Sequence, residues 1–236
     1  MEVNKILKIA VMQPYFFPYI GYFQLINSAD IFIFYDDVNF IKNGWINRNR
    51  ILLNNEAHYI TIQLKEASSN KLINEVKYSD NRVKIIKTIE QAYNKAPFFN
   101  DVMPVILDCL VSESTNICEL AILTVKSSCK YLNITTELEI SSDKYKETKG
   151  LGRIERLVNI CKSNGSDCYI NPSGGNGLYN KDDFNKFNTN LYFIHSNPLK
   201  YKQFNNIFIP SLSIIDVMMF NSRDEISKML NQYQLI

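Results

Sequence analysis

Two adjacent carboxylates, Asp36 and Asp37, close a short apolar run, and Trp45, Asn47, Arg48 and Arg50 follow shortly after. A carboxylate at a strand end can hold a cation, bond sugar hydroxyls or take a proton from an attacking amine. On a strand the two would face opposite sides, so one of them points into any given site. Arg48 and Arg50 point the same way in an extended segment, and guanidinium forks suit phosphate or carboxylate. Trp45, the single tryptophan, can stack a base or sugar ring, and Asn47 can orient a substrate. His195 ends a strand-like run before Asn197-Pro198 and joins Asp36 and Asp37 as a candidate base. Cys168 could face it as a nucleophile. Asn171, Gly174 and Gly175 belong to the loop Asn171–Gly177, whose glycines permit a backbone nest for an anion but match neither GxGxxG nor the P-loop. Each has a structural alternative: a solvated turn, a core histidine, a buried thiol, a plain loop.

The segment Gln13-Pro14-Tyr15-Phe16-Phe17-Pro18-Tyr19-Ile20-Gly21-Tyr22-Phe23 holds two prolines, a glycine and six aromatics in eleven residues. Proline fixes φ, removes a donor and constrains its predecessor, so the pattern predicts a shaped loop with a helix starting near Pro18. Gln13, Tyr15 and Tyr22 are its candidate substrate contacts. Tyr19-Ile20-Gly21-Tyr22 stands where the HIGH-motif nucleotide-binding superfamily carries His-x-Gly-His, and the similarity is one of pattern. A neutral phenol donates a hydrogen bond but supplies no cation. The structural alternative is an aromatic plug of the core.

These residues need elements to hold them. Ile6–Met12 and Ile31–Tyr35 read as buried strands flanking the helix Pro18–Ser28, a βαβ unit with parallel pairing. Ala57–Leu64, Glu137–Ser141, Cys168–Ile170 and Leu191–His195 read as further strands. Helical spacing covers Arg82–Tyr93, Phe99–Leu110, Ile117–Tyr131, Gly152–Ser163 and the tail from Ser213 to Leu230. Arg153 and Arg156 lie on nearby faces of the fourth, with a solvated face as their default. The expected fold class is α/β: a mostly parallel sheet with flanking helices, HIGH-like in outline, forming one domain over residues 1–236 with residues 81–132 as an inserted helical layer.

Composition narrows the function. A net charge of +2 over 236 residues, with Lys and Arg dispersed, argues against a nucleic-acid grip. Five cysteines without a CxxC pair suit neither zinc nor a disulfide framework, and no residue is assigned as a metal ligand. Met1–Ala10 is too short and too charged for a signal peptide, and no run approaches a membrane span. The expected location is a reducing cytoplasm.

The pieces in order resemble the WbqC-like protein family: Gln13-Pro-Tyr-Phe-Phe-Pro with Gly21-Tyr22, Ala29-Asp30, Asp36-Asp37, Trp45, Asn47 and Arg48, then Tyr93 with Ala96-Pro97, Ser141-Ser142, Asp167–Gly177 with Tyr179, and Leu212–Asp216. The family usually shows an asparagine and glycine near the C-terminal end, where Asn221 is here followed by Ser222. The resemblance implies O-antigen or other surface (lipopolysaccharide) polysaccharide biosynthesis. The implied reaction is transfer of an amino acid such as glycine, or an acyl group, to the amine of a nucleotide-linked amino sugar. ATP, or an aminoacyl or acyl donor including aminoacyl-tRNA, would be the co-substrate, and an oligomer is compatible with it. In that reading Arg48 and Arg50 hold phosphate, Trp45 and Tyr15 stack, and Gln13 and Asn47 orient the substrate. The rival readings are a nucleotidyltransferase or ATP-dependent ligase and a non-catalytic sugar-nucleotide binding protein.

Overall fold

Apolar runs that lack a helical stripe form the centre of the protein. The structure, a computed structural model, describes residues 6–175, 177–204 and 207–236. Met1–Lys5, part of the leader reading, and Asn176 of the glycine-rich loop lie outside the described residues. In chain order the elements are β1 (Lys8–Met12), α1 (Ile20–Ser28), β2 (Ile31–Phe34), β3 (Arg48–Leu53), β4 (Glu56–Thr61), β5 (Leu64–Lys65) and β6 (Lys77–Tyr78). There follow α2 (Arg82–Tyr93), α3 (Phe99–Leu110), α4 (Ile117–Tyr131), β7 (Glu137–Ile140), α5 (Ser141–Lys144), α6 (Arg153–Ser163) and β8 (Cys168–Pro172). The chain ends with α7 (Lys181–Asn185), β9 (Asn190–Ser196), α8 (Ile214–Phe220), α9 (Arg223–Leu230) and β10 (Tyr233–Leu235).

The main sheet runs β10-β9-β8-β1-β2-β7. β9, β8, β1, β2 and β7 pair in parallel, and β10 closes one edge antiparallel. The expected mostly parallel α/β sheet is therefore present. β2, Ile-Phe-Ile-Phe, is buried at every position, as a strand covered on both faces must be. Alternate residues feed two cores: Ala10, Phe32, Phe34 and Ile170 meet α1, α8, α9 and the α2–α4 layer, whereas Ile9, Val11, Ile33 and Tyr169 meet α6 and Phe184 of α7. Period two in the strands thus sorts side chains between the layers. The helices of residues 82–131 add their apolar faces to the first core instead of building their own.

Two departures matter for the site. β4 is not a strand of the main sheet but pairs with β3 as an antiparallel hairpin, Arg50 opposite Tyr59. The helical tail breaks at Asn221-Ser222, where Ser222 and Glu225 form a capping box that starts α9, and β10 then returns to the sheet. In chain order the parallel strands lie 3-2-1-4-5, so the winding reverses between β1 and β8. Ligands of doubly wound sheets bind at that point, outside the carboxyl ends of the strands.

Candidate active site at the carboxyl edge of the sheet

Four segments leave the carboxyl ends of neighbouring parallel strands: Gln13–Tyr19 after β1, Tyr35–Asp37 after β2, Ser141-Ser142 after the edge strand β7 and Ser173–Gly175 after β8. The Tyr35 amide donates to the Met12 carbonyl at 2.8 Å, which sets the two aspartates beside the aromatic loop.

As alternation along a strand requires, the aspartates diverge. Asp36, 2% exposed, accepts the Ser142 amide at 2.9 Å, the Ser142 hydroxyl at 2.6 Å and the Asn74 side-chain amide at 3.0 Å. Both oxygens are used to join β2 to the start of α5, so Asp36 is a structural clasp and not the free base expected. Asp37, 6% exposed, binds Arg156 Nη2 through Oδ2 at 2.6 Å. Its Oδ1 is buried and has no hydrogen-bond partner among the described residues. Arg156 also donates to Ser141 Oγ at 2.9 Å and Thr148 Oγ1 at 3.1 Å, and its guanidinium lies 4.5 Å from the Tyr35 ring centroid. The solvated face expected for Arg156 is wrong: it is 6% exposed. The signal was its position one turn before Ile160, on the apolar side of α6, where an arginine requires a carboxylate.

The aromatic loop is held from several sides. Asn49 donates to the carbonyls of Phe16 and Phe17 at 3.2 and 2.7 Å, Ser213 Oγ donates to Phe17 O at 2.7 Å, and the Phe17 amide donates to Thr124 Oγ1 at 3.1 Å. These bonds fix Phe17 at φ 40°, a left-handed conformation that costs a non-glycine residue roughly 1–2 kcal/mol. Tyr22, 3% exposed, donates its hydroxyl to Gln13 O at 2.8 Å and packs its ring 5.5 Å from Tyr15. It shapes the loop from inside and is not presented to a ligand. Asn47 likewise donates its side chain to Ile62 O at 2.8 Å and closes the hairpin.

Above the loop opens a cleft of about 270 Å³ lined by Tyr15, Pro18, Tyr19, Trp45, Asn49, Arg50 and Ser211. The structure therefore gathers three of the expected contacts, Tyr15, Trp45 and Arg50. Arg50 donates Nη2 to Ser211 O at 3.1 Å, lies 5.7 Å from the Trp45 ring centroid, and has a buried Nε without a hydrogen-bond partner among the described residues. Arg48 does not line the cleft. It donates to the carbonyls of Gly44 and Asn43 and sits over Tyr59, which stacks on Trp45. Burial pushes the Tyr15 phenol up to about 12, so it remains a neutral donor at physiological pH.

The other candidates are dispersed. His195 is exposed on β9, opposite Gln234 of β10, and three strand spacings of about 4.8 Å put β9 roughly 14 Å from β2. It cannot share a proton with Asp37. Cys168 pairs with Asn190 at the opposite end of β9, about 16 Å along the strand from His195, and burial pushes its thiol up. That geometry ends the nucleophile–base pair. Asn171, 5% exposed, accepts the Tyr169 hydroxyl at 3.2 Å. Gly174 has no positive φ and no atom within 4 Å of a Cβ position, so neither backbone nor packing demands the glycine; the neighbouring Gly175 completes that short turn. Among the described residues no three His, Cys, Asp or Glu side chains converge as a metal site.

Sequence reasoning passed over one more cluster. Asp216, fully buried on α8, accepts Tyr93 Oη at 2.8 Å, Tyr201 Oη at 2.6 Å and Gln203 Nε2 at 2.7 Å. Gln203 Oε1 accepts the Ile209 amide at 2.8 Å, which ties the segment bearing Ser211 to the core. Tyr93 and Asp216 lie 123 residues apart, and nothing in their spacing pairs them.

The WbqC-like protein family model matches residues 13–228. The uncharacterized protein Rv1507c of Mycobacterium tuberculosis (strain ATCC 25618 / H37Rv) is 29% identical over 216 residues, spanning 89% of this chain and 92% of the relative. No solved structure gives a significant match.

Proposed function

This chain belongs to the WbqC-like protein family, and on that premise we propose that it is an enzyme of surface-polysaccharide biosynthesis that transfers an aminoacyl or acyl group to the amine of a nucleotide-linked amino sugar. The reading is supported above all by Asp37, a carboxylate at the carboxyl edge of the sheet with one oxygen anchored by Arg156 and the other, buried, without a hydrogen-bond partner among the described residues. Oδ1 is enclosed in this structure, so the segments at this edge must part as the substrate enters. The sugar amine then donates a hydrogen bond to Oδ1 and attacks the activated carbonyl of the donor. The C–N bond forms, the leaving group departs with its electron pair, and the proton released from nitrogen passes to Asp37. Any carboxylate is a weak base, but nitrogen turns strongly acidic once its lone pair is committed to carbon, so a weak base suffices. The aromatic cleft beside Arg50 holds the nucleotide end. No helix among the described residues is long and apolar enough to cross a membrane, in keeping with a substrate drawn from the cytoplasm.

The test is product mass. A nucleotide-linked amino sugar offered with acyl-CoA, aminoacyl-tRNA, or amino acid plus ATP should gain one acyl or aminoacyl unit with one donor class. Asp37→Asn should lower turnover about a hundredfold while leaving sugar-nucleotide affinity within a factor of two or three. Tight binding without mass gain from any donor would favour a binding protein, and pyrophosphate or AMP release before transfer would favour the ligase reading.

A further inference from the structure

Tyr19 stands at the start of α1 with no side-chain hydrogen bond to the helix end. The residue is 42% exposed and its ring lies directly over Gly21: a Cβ on Gly21 would meet the ring at 2.4 Å. Gly21 has no positive φ, and glycine in a helix costs about 0.5–1 kcal/mol relative to alanine. What the glycine supplies here is the seat for that ring. The other walls are fixed. Asn49 is bonded to the loop carbonyls, Arg50 to Ser211, and Tyr15 packs on Tyr22. Tyr19 rests on the bare backbone of Gly21, and among the described residues that line the cleft Arg50 carries the charge.

At about 270 Å³ the cleft falls just under the roughly 300–1,000 Å³ of sites that enclose a whole drug-sized ligand. It suits part of one: a planar ring and the phosphate next to it. Resting on the function proposed above, we infer that Tyr19, seated on Gly21, is the specificity-determining wall that stacks on the base of a nucleoside diphosphate whose phosphate is met by Arg50. Phenol and guanidinium would then read the two ends of one ligand, and widening the wall would loosen the base without releasing the anion.

Calorimetry with UDP, dTDP and inorganic pyrophosphate on the full chain tests this without any donor, so it stands or falls separately from group transfer. Tyr19→Ala should weaken UDP or dTDP roughly tenfold or more, the loss expected of one stacked ring, and leave pyrophosphate within a factor of two. Tyr19→Phe should retain binding. Gly21→Ala should weaken the nucleotides as Tyr19→Ala does, with a melting temperature near wild type because the exposed ring can swing away. Added to Tyr19→Ala it should have no further effect. Absence of saturable UDP and dTDP binding by the wild type would overturn the inference. So would a Gly21→Ala penalty of equal size with and without Tyr19, which would mean that the glycine meets the ligand itself.

Discussion

Arg156→Ala is expected to lower unfolding free energy by about 3–5 kcal/mol, the cost of leaving one member of a buried ion pair without its partner. Asp37 and Arg156 are each 6% exposed, and the substitution removes the hydrogen bond that Asp37 Oδ2 accepts while Oδ1 has no partner among the described residues. Ser141 Oγ and Thr148 Oγ1 lose a donor at the same time. For a chain of this length the loss corresponds to a melting temperature lower by roughly 10 °C. Urea unfolding measures it directly. The double variant Asp37→Asn/Arg156→Met should recover most of the stability, because the isolated charge, not the missing attraction, dominates the penalty. A loss under about 1 kcal/mol would show the pair to be solvated, and Asp37 would lose its standing as the poised acceptor.

Asp216→Asn is expected to cost about 2–3 kcal/mol, since an amide oxygen replaces a charged acceptor for three donors. Burial, only partly offset by the bonds from Tyr201, Tyr93 and Gln203, holds the Asp216 carboxyl above its ordinary value of 3.8. The sign follows from proton binding. Between 3.8 and the raised folded value the native protein holds this proton more firmly than the unfolded chain does, so this group adds stability as pH falls and withdraws it as pH rises. The stability gap between wild type and Asp216→Asn should therefore widen from pH 7 toward pH 4 in matched urea titrations. A gap that narrows would mean that the network favours the ion. The same variant should weaken the hold of α8 on Tyr201 and Gln203.

The sheet was legible because β1, β2 and β8 are apolar on consecutive residues, which only a strand covered on both faces tolerates. α2, α3 and α4 were legible from their helical period, and their ends fall where Asn94–Pro97 and Ser112–Asn116 interrupt it. β3 was harder to read because Arg48, Asn49 and Arg50 interrupt its pattern: Asn49 holds the aromatic loop, Arg50 lines the cleft and Arg48 bonds the turn before the hairpin. The break before α9 carried a Ser-x-x-Glu signal at Ser222–Glu225 that a continuous helical reading overrides.

The site was legible by residue type and not by partnership. Asp37 and Arg156 stand 119 residues apart and Tyr93 and Asp216 stand 123 apart, so their meeting is decided by strand order, which local sequence does not encode. His195 failed for the same reason: a strand end is a site only if its strand is central, and β9 lies two strands from β1. Tyr22 and Asn47 were rightly singled out as unusual, but what they serve is the loop and the hairpin.

The central claim is that the edge where β1, β2 and β8 end receives the nucleotide-linked sugar. Hydrogen–deuterium exchange, with and without a saturating nucleotide-linked amino sugar, tests it most directly. Exchange should slow across residues 13–22, 35–37, 45–50 and 171–175 and stay unchanged at the groove formed by Asp80, Asn81 and the first turns of α2. Protection confined to that groove, or none at any of these segments under saturation, would contradict it.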